Sequence, residues 1–152
     1  MTSASSDASI EELVATLFNF QKLQIAAMER EDVRGGNRHF DRLYAALKQL
    51  ASTPRGRDAL EGLMQHEMPE IQVRAAGQVM AWAPEIAIPV LGRLVVDWRP
   101  RDPRKGYVGV GTEAASWLYQ HFGIKDFDRN KLIEPLRRYG IELPRRPDEI
   151  WT

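Results

Sequence analysis

The sequence predicts an all-α chain: a stack of about seven short helices forming one domain. Three observations carry that reading. Apolar residues recur at i, i+3, i+4 and i+7 through most of the chain, and prolines and glycines punctuate the apolar runs. The chain also matches itself. Ala59-Leu60-x-x-Leu63 returns as Ala87-Ile88-x-x-Leu91 at an offset of 28, and Val73-Arg74-Ala75-Ala76 has a looser echo in Thr112-Glu113-Ala114-Ala115 at an offset of 39. The difference of eleven places an insertion in WRPRDPRKGYV (98–108). With Leu132-Ile133-x-x-Leu136 as a third first helix, the order fits an α-solenoid of about two and a half units.

The first helix is expected from a Ser9 cap, with Glu12 three residues on as a capping box, to near Asp32. Residues 1–8 read as a disordered leader. Phe20 and Leu23 widen the helix's apolar stripe, so it should pack on more than one neighbour. Gly35-Gly36 is expected to break the chain and Asn37 to cap a second helix, whose face is Phe40, Leu43, Tyr44, Leu47 and Leu50. Thr53 caps a third helix over 54–66 with Pro54 at its first position, burying Ala59, Leu60, Leu63 and Met64. Pro69 opens the fourth. It carries two apolar rows, Ile71, Ala75, Val79, Trp82 and Val73, Ala76, Met80, Ala83, so it should be buried. Its polar seam is Glu70, Arg74 and Gln78, with Glu70 and Arg74 four apart. Pro84 restarts the helix where its missing N–H costs nothing, and Pro89 should bend the fifth helix rather than end it.

Composition bounds the function. With 43% hydrophobic and 28% charged residues, the chain reads as a soluble globular domain. Twenty-one basic and twenty-one acidic residues cancel, so no global field draws it to nucleic acid or membrane. The charge is uneven: residues 1–32 hold six acids against two bases, and residues 99–152 eleven bases against eight acids. The absence of cysteine excludes disulfides, thiolate nucleophiles and Cys-ligated zinc. No apolar run is long enough to span a membrane, and MTSASSDAS lacks the order of a signal peptide, so a cytoplasmic protein is expected.

PEIQVRAA (69–76) resembles the start of a HEAT-repeat inner helix. More narrowly, GNRHFDRLYAAL (36–47), RDAL in helix three, VRAA and APEIAIPVL (83–91) are together similar to a small bacterial HEAT-like family. It is catalogued as domain of unknown function two-thousand-and-nineteen, and some members are immunity proteins of polymorphic toxin systems. The resemblance covers roughly residues 10–122. It departs at the Arg-rich insertion and after Gly123. It implies a right-handed HEAT-like stack that binds a partner without catalysis, and it supplies no catalytic or cofactor-binding residues.

Among the residues themselves, His39, His66 and His121 lack metal-ligand spacing; His66 sits at a helix end where the dipole favours it. Asn37, Arg38, Asp41 and Arg42 read as a cap and a solvated ion-pair face. Arg74 reads as part of a polar ladder tying inner helices. GYVGVGT (106–112) precedes a helix, but no Gly-Lys-Ser/Thr follows, so it reads as a flexible loop rather than a phosphate cradle. Trp82, Trp117, Tyr119 and Phe122 read as core. The strongest partner-binding candidate is the segment holding Trp98, Arg99, Arg101, Arg104, Lys105 and Tyr107, where arginine and aromatic side chains mix as in interface hot spots.

The expected function is therefore protein binding without an enzymatic activity, a cofactor or a metal, and concretely an immunity protein for a cognate toxin. The domain would span 9–140, with residues 141–152 an extended arm. In that arm Ile141, Leu143 and Trp151 pack across the stack, while Arg145 and Arg146 stay exposed. One alternative is a nucleic-acid binder using Arg99, Arg101, Arg104 and Lys105 with Arg137, Arg138, Arg145 and Arg146. Another is an enzyme on a helical scaffold, which needs a buried carboxylate beside exposed aromatic residues.

Overall fold

The computed structural model describes residues 3–97 and 109–147. Among them the chain is all-helical, with seven α-helices, one 3-10 turn and no strand. The helices are α1 Ser3–Glu29, α2 Val33–Ala51, α3 Pro54–Leu63, α4 Pro69–Val79, α5 Pro84–Asp97, α6 Gly109–Phe122 and α7 Ile133–Arg137. The 3-10 turn, Arg129–Leu132, leads directly into α7.

Two helix starts differ from the expected ones at the N-terminal end. α1 begins at Ser3, so Ser9 lies inside the helix and residues 3–8 extend it. That stretch holds no Gly or Pro, and nothing in it stops a helix from propagating. α2 begins at Val33, so Gly35 and Gly36 form its first turn and Asn37 is not its cap. The cap is Asp32, whose Oδ1 accepts the Gly35 N–H at 2.9 Å. The break itself falls on Glu31, in the left-handed region at φ 59°. Its N–H donates to the Met28 carbonyl at 3.1 Å and the Asp32 N–H to the Ala27 carbonyl at 2.8 Å. Those two bonds close a Schellman turn in which Glu stands where Gly is usual.

The proline-marked starts behave as expected. Thr53 Oγ1 accepts the Gly56 N–H at 3.0 Å, with Pro54 in the first turn of α3. α5 opens at Pro84 and continues through Pro89. α3 ends at Leu63, three residues early, and the His66 ring fastens the corner. Its Nδ1 accepts the Met68 N–H at 3.0 Å, and the ring packs on Phe18. In α6 the correction is to the glycine-rich loop: Gly109–Thr112 is helical, and Val110 and Gly111 are buried. Packing there outweighs the roughly 1 kcal/mol that each glycine costs a helix.

α4 is the central helix, touching α1, α2, α3, α5 and α6. Ile71, Ala75, Ala76 and Val79 are fully buried, and even Glu70 and Gln78 of the polar seam are buried. Most of the repeated positions share this fate, with Leu60, Ile88, Leu91, Leu132 and Leu136 at 0% exposure, but Ala59 and Leu63 of α3, expected to be buried, are only half-buried. Arg74 of α4 lies over the Phe40 ring of α2 and against Glu113 of α6. About a turn further on, Gln78 and Ala81 share a groove with Lys48 of α2 and His121 of α6. α2, α4 and α6 therefore run side by side in the same direction.

The arm packs as expected through Ile141 and Leu143, both buried. Arg145 is exposed, but Arg146 is half-buried, a correction to the expected exposure. The cause is Asn130, whose side chain both accepts the Arg146 N–H and donates to the Arg146 carbonyl, at 2.8 Å each. Arg129 reinforces this tie, donating to the carbonyls of Pro144 at 3.1 Å and Val95 at 3.4 Å. Trp151 lies outside the described residues.

Two glycines in α3 give a test of this packing. A Cβ at Gly56 would fall 1.9 Å from the Leu50 carbonyl oxygen, whereas one at Gly62 would meet nothing within 4 Å. Gly56→Ala should destabilise the protein by about 3 kcal/mol. Gly62→Ala should stabilise it by about 0.5–1 kcal/mol, because alanine is the better helix former. Urea unfolding of the two variants checks both signs.

Candidate functional site

α4 has an apolar body with a polar seam, and its Arg74 must find partners without reaching open water. Only 12% of that side chain is exposed. Its Nε donates to Gln21 Oε1 at 3.3 Å and its Nη2 to Gln24 Oε1 at 3.2 Å, both on α1. Its Nη1 pairs with the Glu113 carboxylate of α6. The guanidinium plane lies 5.1 Å from the Phe40 ring centroid on α2. One fork thus ties four helices, which suits the fixed, five-donor geometry of arginine. Gln21 is itself buried, and it donates to Gln24 at 3.0 Å.

Glu113 feels opposing effects. Burial raises its pKa above the ordinary glutamate value and outweighs the lowering by the Arg74 charge and by hydrogen bonds from Arg74 and Trp117. Beside it, Gly77 lets the Trp117 indole come close to α4: a Cβ there would fall 2.4 Å from Nε1. This opens a groove of about 320 Å³ lined by Lys48, Gly77, Gln78, Ala81, Trp117 and His121. Lys48 Nζ also lies 5.1 Å from the ring centroid of Tyr44, one turn back on α2, which is 39% exposed. The result is an amphipathic shelf with one lysine, exposed aromatic surface and amide groups, backed by a tightly tied polar cluster.

No family model, no curated protein and no solved structure gives a significant match to this chain.

The structure places the expected site residues as follows. Trp98, Arg99, Arg101, Arg104, Lys105 and Tyr107 lie outside the described residues. Asn37, Arg38, Asp41 and Arg42 are exposed on α2, with Arg42 5.9 Å over Phe20. Among the described residues no three His, Asp or Glu side chains converge as metal ligands would. No described helix is long and apolar enough to cross a membrane. Of the tail cations, Arg137 is engaged by Glu134 at 2.7 Å and Glu142 at 3.4 Å, while Arg138 and Arg145 are exposed. Trp82 and Trp117 are half-buried, and Trp82 Nε1 donates to Glu61 at 3.1 Å.

Glu113, Gln21, Gln24 and Lys48 were not singled out as site residues by sequence reasoning. A signal for Glu113 existed: the offset of 39 pairs Arg74 with Glu113, opposite charges at equivalent places in two neighbouring helices.

Removing Arg74 strands a half-buried carboxylate, so Arg74→Met should cost about 2 kcal/mol, below the figure for a fully buried pair. The raised Glu113 pKa has a definite sign. Between the unfolded value and the higher folded one, the native state holds more protons, so Glu113's contribution to stability falls as pH rises through that window. The stability of the wild type relative to Glu113→Gln should therefore be greatest at or below the unfolded glutamate pKa. It should decline as pH rises above that value and then level off, as parallel urea titrations would show.

Proposed function

We propose that the chain is a HEAT-like α-solenoid that binds a partner protein in the cytoplasm without catalysis. The observation that carries this reading is the Arg74 cluster, which ties α1, α2, α4 and α6 behind the shelf of Lys48, Trp117 and His121, with Tyr44 beside Lys48. A shelf held this way is ready before its partner arrives, so little ordering entropy is lost on docking. Tyrosine and tryptophan at a groove beside a cation are the side chains that dominate interface energetics. The side-by-side course of α2, α4 and α6 supports the repeat architecture, since stacked helical pairs place their second helices this way.

The concrete form, resting on the family resemblance, is an immunity protein that covers the active site of a cognate toxin. The segment bearing Trp98, Arg99, Arg101, Arg104, Lys105 and Tyr107 joins α5 to α6 and is the second contact we assign. The zero net charge weighs against the nucleic-acid reading, as does the engagement of Arg137 by two glutamates.

Affinity capture from the native cell tests this. The tagged protein should retain one stoichiometric partner protein. Tyr44→Ala with Lys48→Glu should weaken that complex by about 30-fold or more, the size of a hot-spot loss. Retention of nucleic acid alone, released by salt, would replace the proposal with the nucleic-acid reading.

A further inference from the structure

The polar seam of α4 holds a side chain that the fold leaves without a partner. Gln78 is 5% exposed, yet its side-chain amide makes no hydrogen bond among the described residues. Neither its nitrogen nor its oxygen is sealed in the interior, because Gln78 lies on the wall of the groove between α2, α4 and α6. Buried amides almost always find a partner, and one left without it lowers stability. Arg74, one turn earlier on the same seam, shows the contrast, since it is satisfied by α1 and α6. A methionine would fill the place of Gln78 at similar length with no polar group to strand.

The groove around this amide is positive and partly aromatic. Lys48, Trp117, Gln120 and His121 line it, and no Asp or Glu is among its described lining residues. Lys48 is exposed and has no carboxylate at ion-pair distance among the described residues; its Nζ rests over the Tyr44 ring. It stands in the last turn of α2, where the helix dipole favours a cation. His121, exposed in the last turn of α6, adds a ring N–H donor. Glu113, one turn before Trp117, is already held by Arg74 and does not neutralise Lys48.

We propose that this groove binds an extended acidic peptide segment of the partner protein. The assignment rests on the partner-binding reading and specifies the chemistry of its ligand. Gln78 offers an oxygen acceptor and an N–H donor together, the complement of one main-chain peptide unit. It holds the segment by its backbone, whatever the side chains. Lys48 and His121 take a carboxylate through charge-assisted hydrogen bonds, and the Trp117 indole takes an apolar side chain next to it. A groove of about 320 Å³ admits a short segment, not a folded domain. Gln78 is thus a residue kept at a cost to the free chain and satisfied on binding.

Titration of the full chain with acetyl-Ala-Glu-Phe-Glu-Ala-amide, followed by NMR, tests this. The Gln78 side-chain amide and the Trp117 indole N–H should shift saturably. The same peptide with glutamine in place of glutamate should bind at least about tenfold more weakly, the worth of one charge-assisted hydrogen bond. Lys48→Gln should erase that difference. Gln78→Met should weaken both peptides by about tenfold and at the same time raise the urea midpoint of the free chain. Equal affinity for the two peptides would overturn the proposal. So would unchanged affinity or a lowered urea midpoint in Gln78→Met, or no saturable shift up to about 10 mM. If the peptides fail while Tyr44→Ala with Lys48→Glu still weakens the captured complex, the acidic segment is wrong and partner binding stands. If that complex is not weakened either, both readings fall.

Discussion

The guanidinium of Arg74 sits where α1, α2, α4 and α6 meet, and much of the architecture follows from keeping it paired there. A charge this little exposed is costly unless it finds several partners at once. The chain supplies them from separate places: two glutamines from α1, an aromatic face from α2 and a carboxylate from α6. Each partner fixes the rotation of its own helix about its axis. Apolar packing alone would leave those rotations less defined, because small side chains such as Ala75 and Ala76 accept more than one arrangement. The polar cluster therefore acts as a register pin, and the alanine-rich surface of α4 lets the neighbours come close enough to reach it.

That pin also shapes the surface above it. Glu113 is held by Arg74 and Trp117, and Trp117 reaches close to α4 because Gly77 has no side chain. The shelf is thus built on positions that packing has already determined, which is what a preformed docking surface needs. At the other end, Asn130 and Arg129 perform a similar task with neutral partners, binding the arm through its backbone.

Much of this was legible in the residues. Pro54, Pro69 and Pro84 mark real helix starts because proline fits only the first turn without loss of a hydrogen bond. The apolar rows of α4 foretold its burial. Gly35, Gly36 and the glycines at 109 and 111 misled, because glycine disfavours a helix only mildly and a cap or a buried face can offset it. Glu31 carries the true break, and a left-handed glutamate has no sequence signature. Arg74 was legible as a ladder residue, since it belongs to the polar seam of an otherwise apolar helix, but its hydrogen-bond partners lie 39 to 53 positions away in the chain. Only the weak repeat pointed to Glu113.

The most direct test of the central claim is native-state hydrogen exchange on the wild type and on Arg74→Met. If one side chain pins four helices, amides in α1, α2 and α6 as well as α4 should all lose protection together in the variant. Faster exchange confined to α4, with α1, α2 and α6 unchanged, would contradict the claim and reduce Arg74 to a local contact.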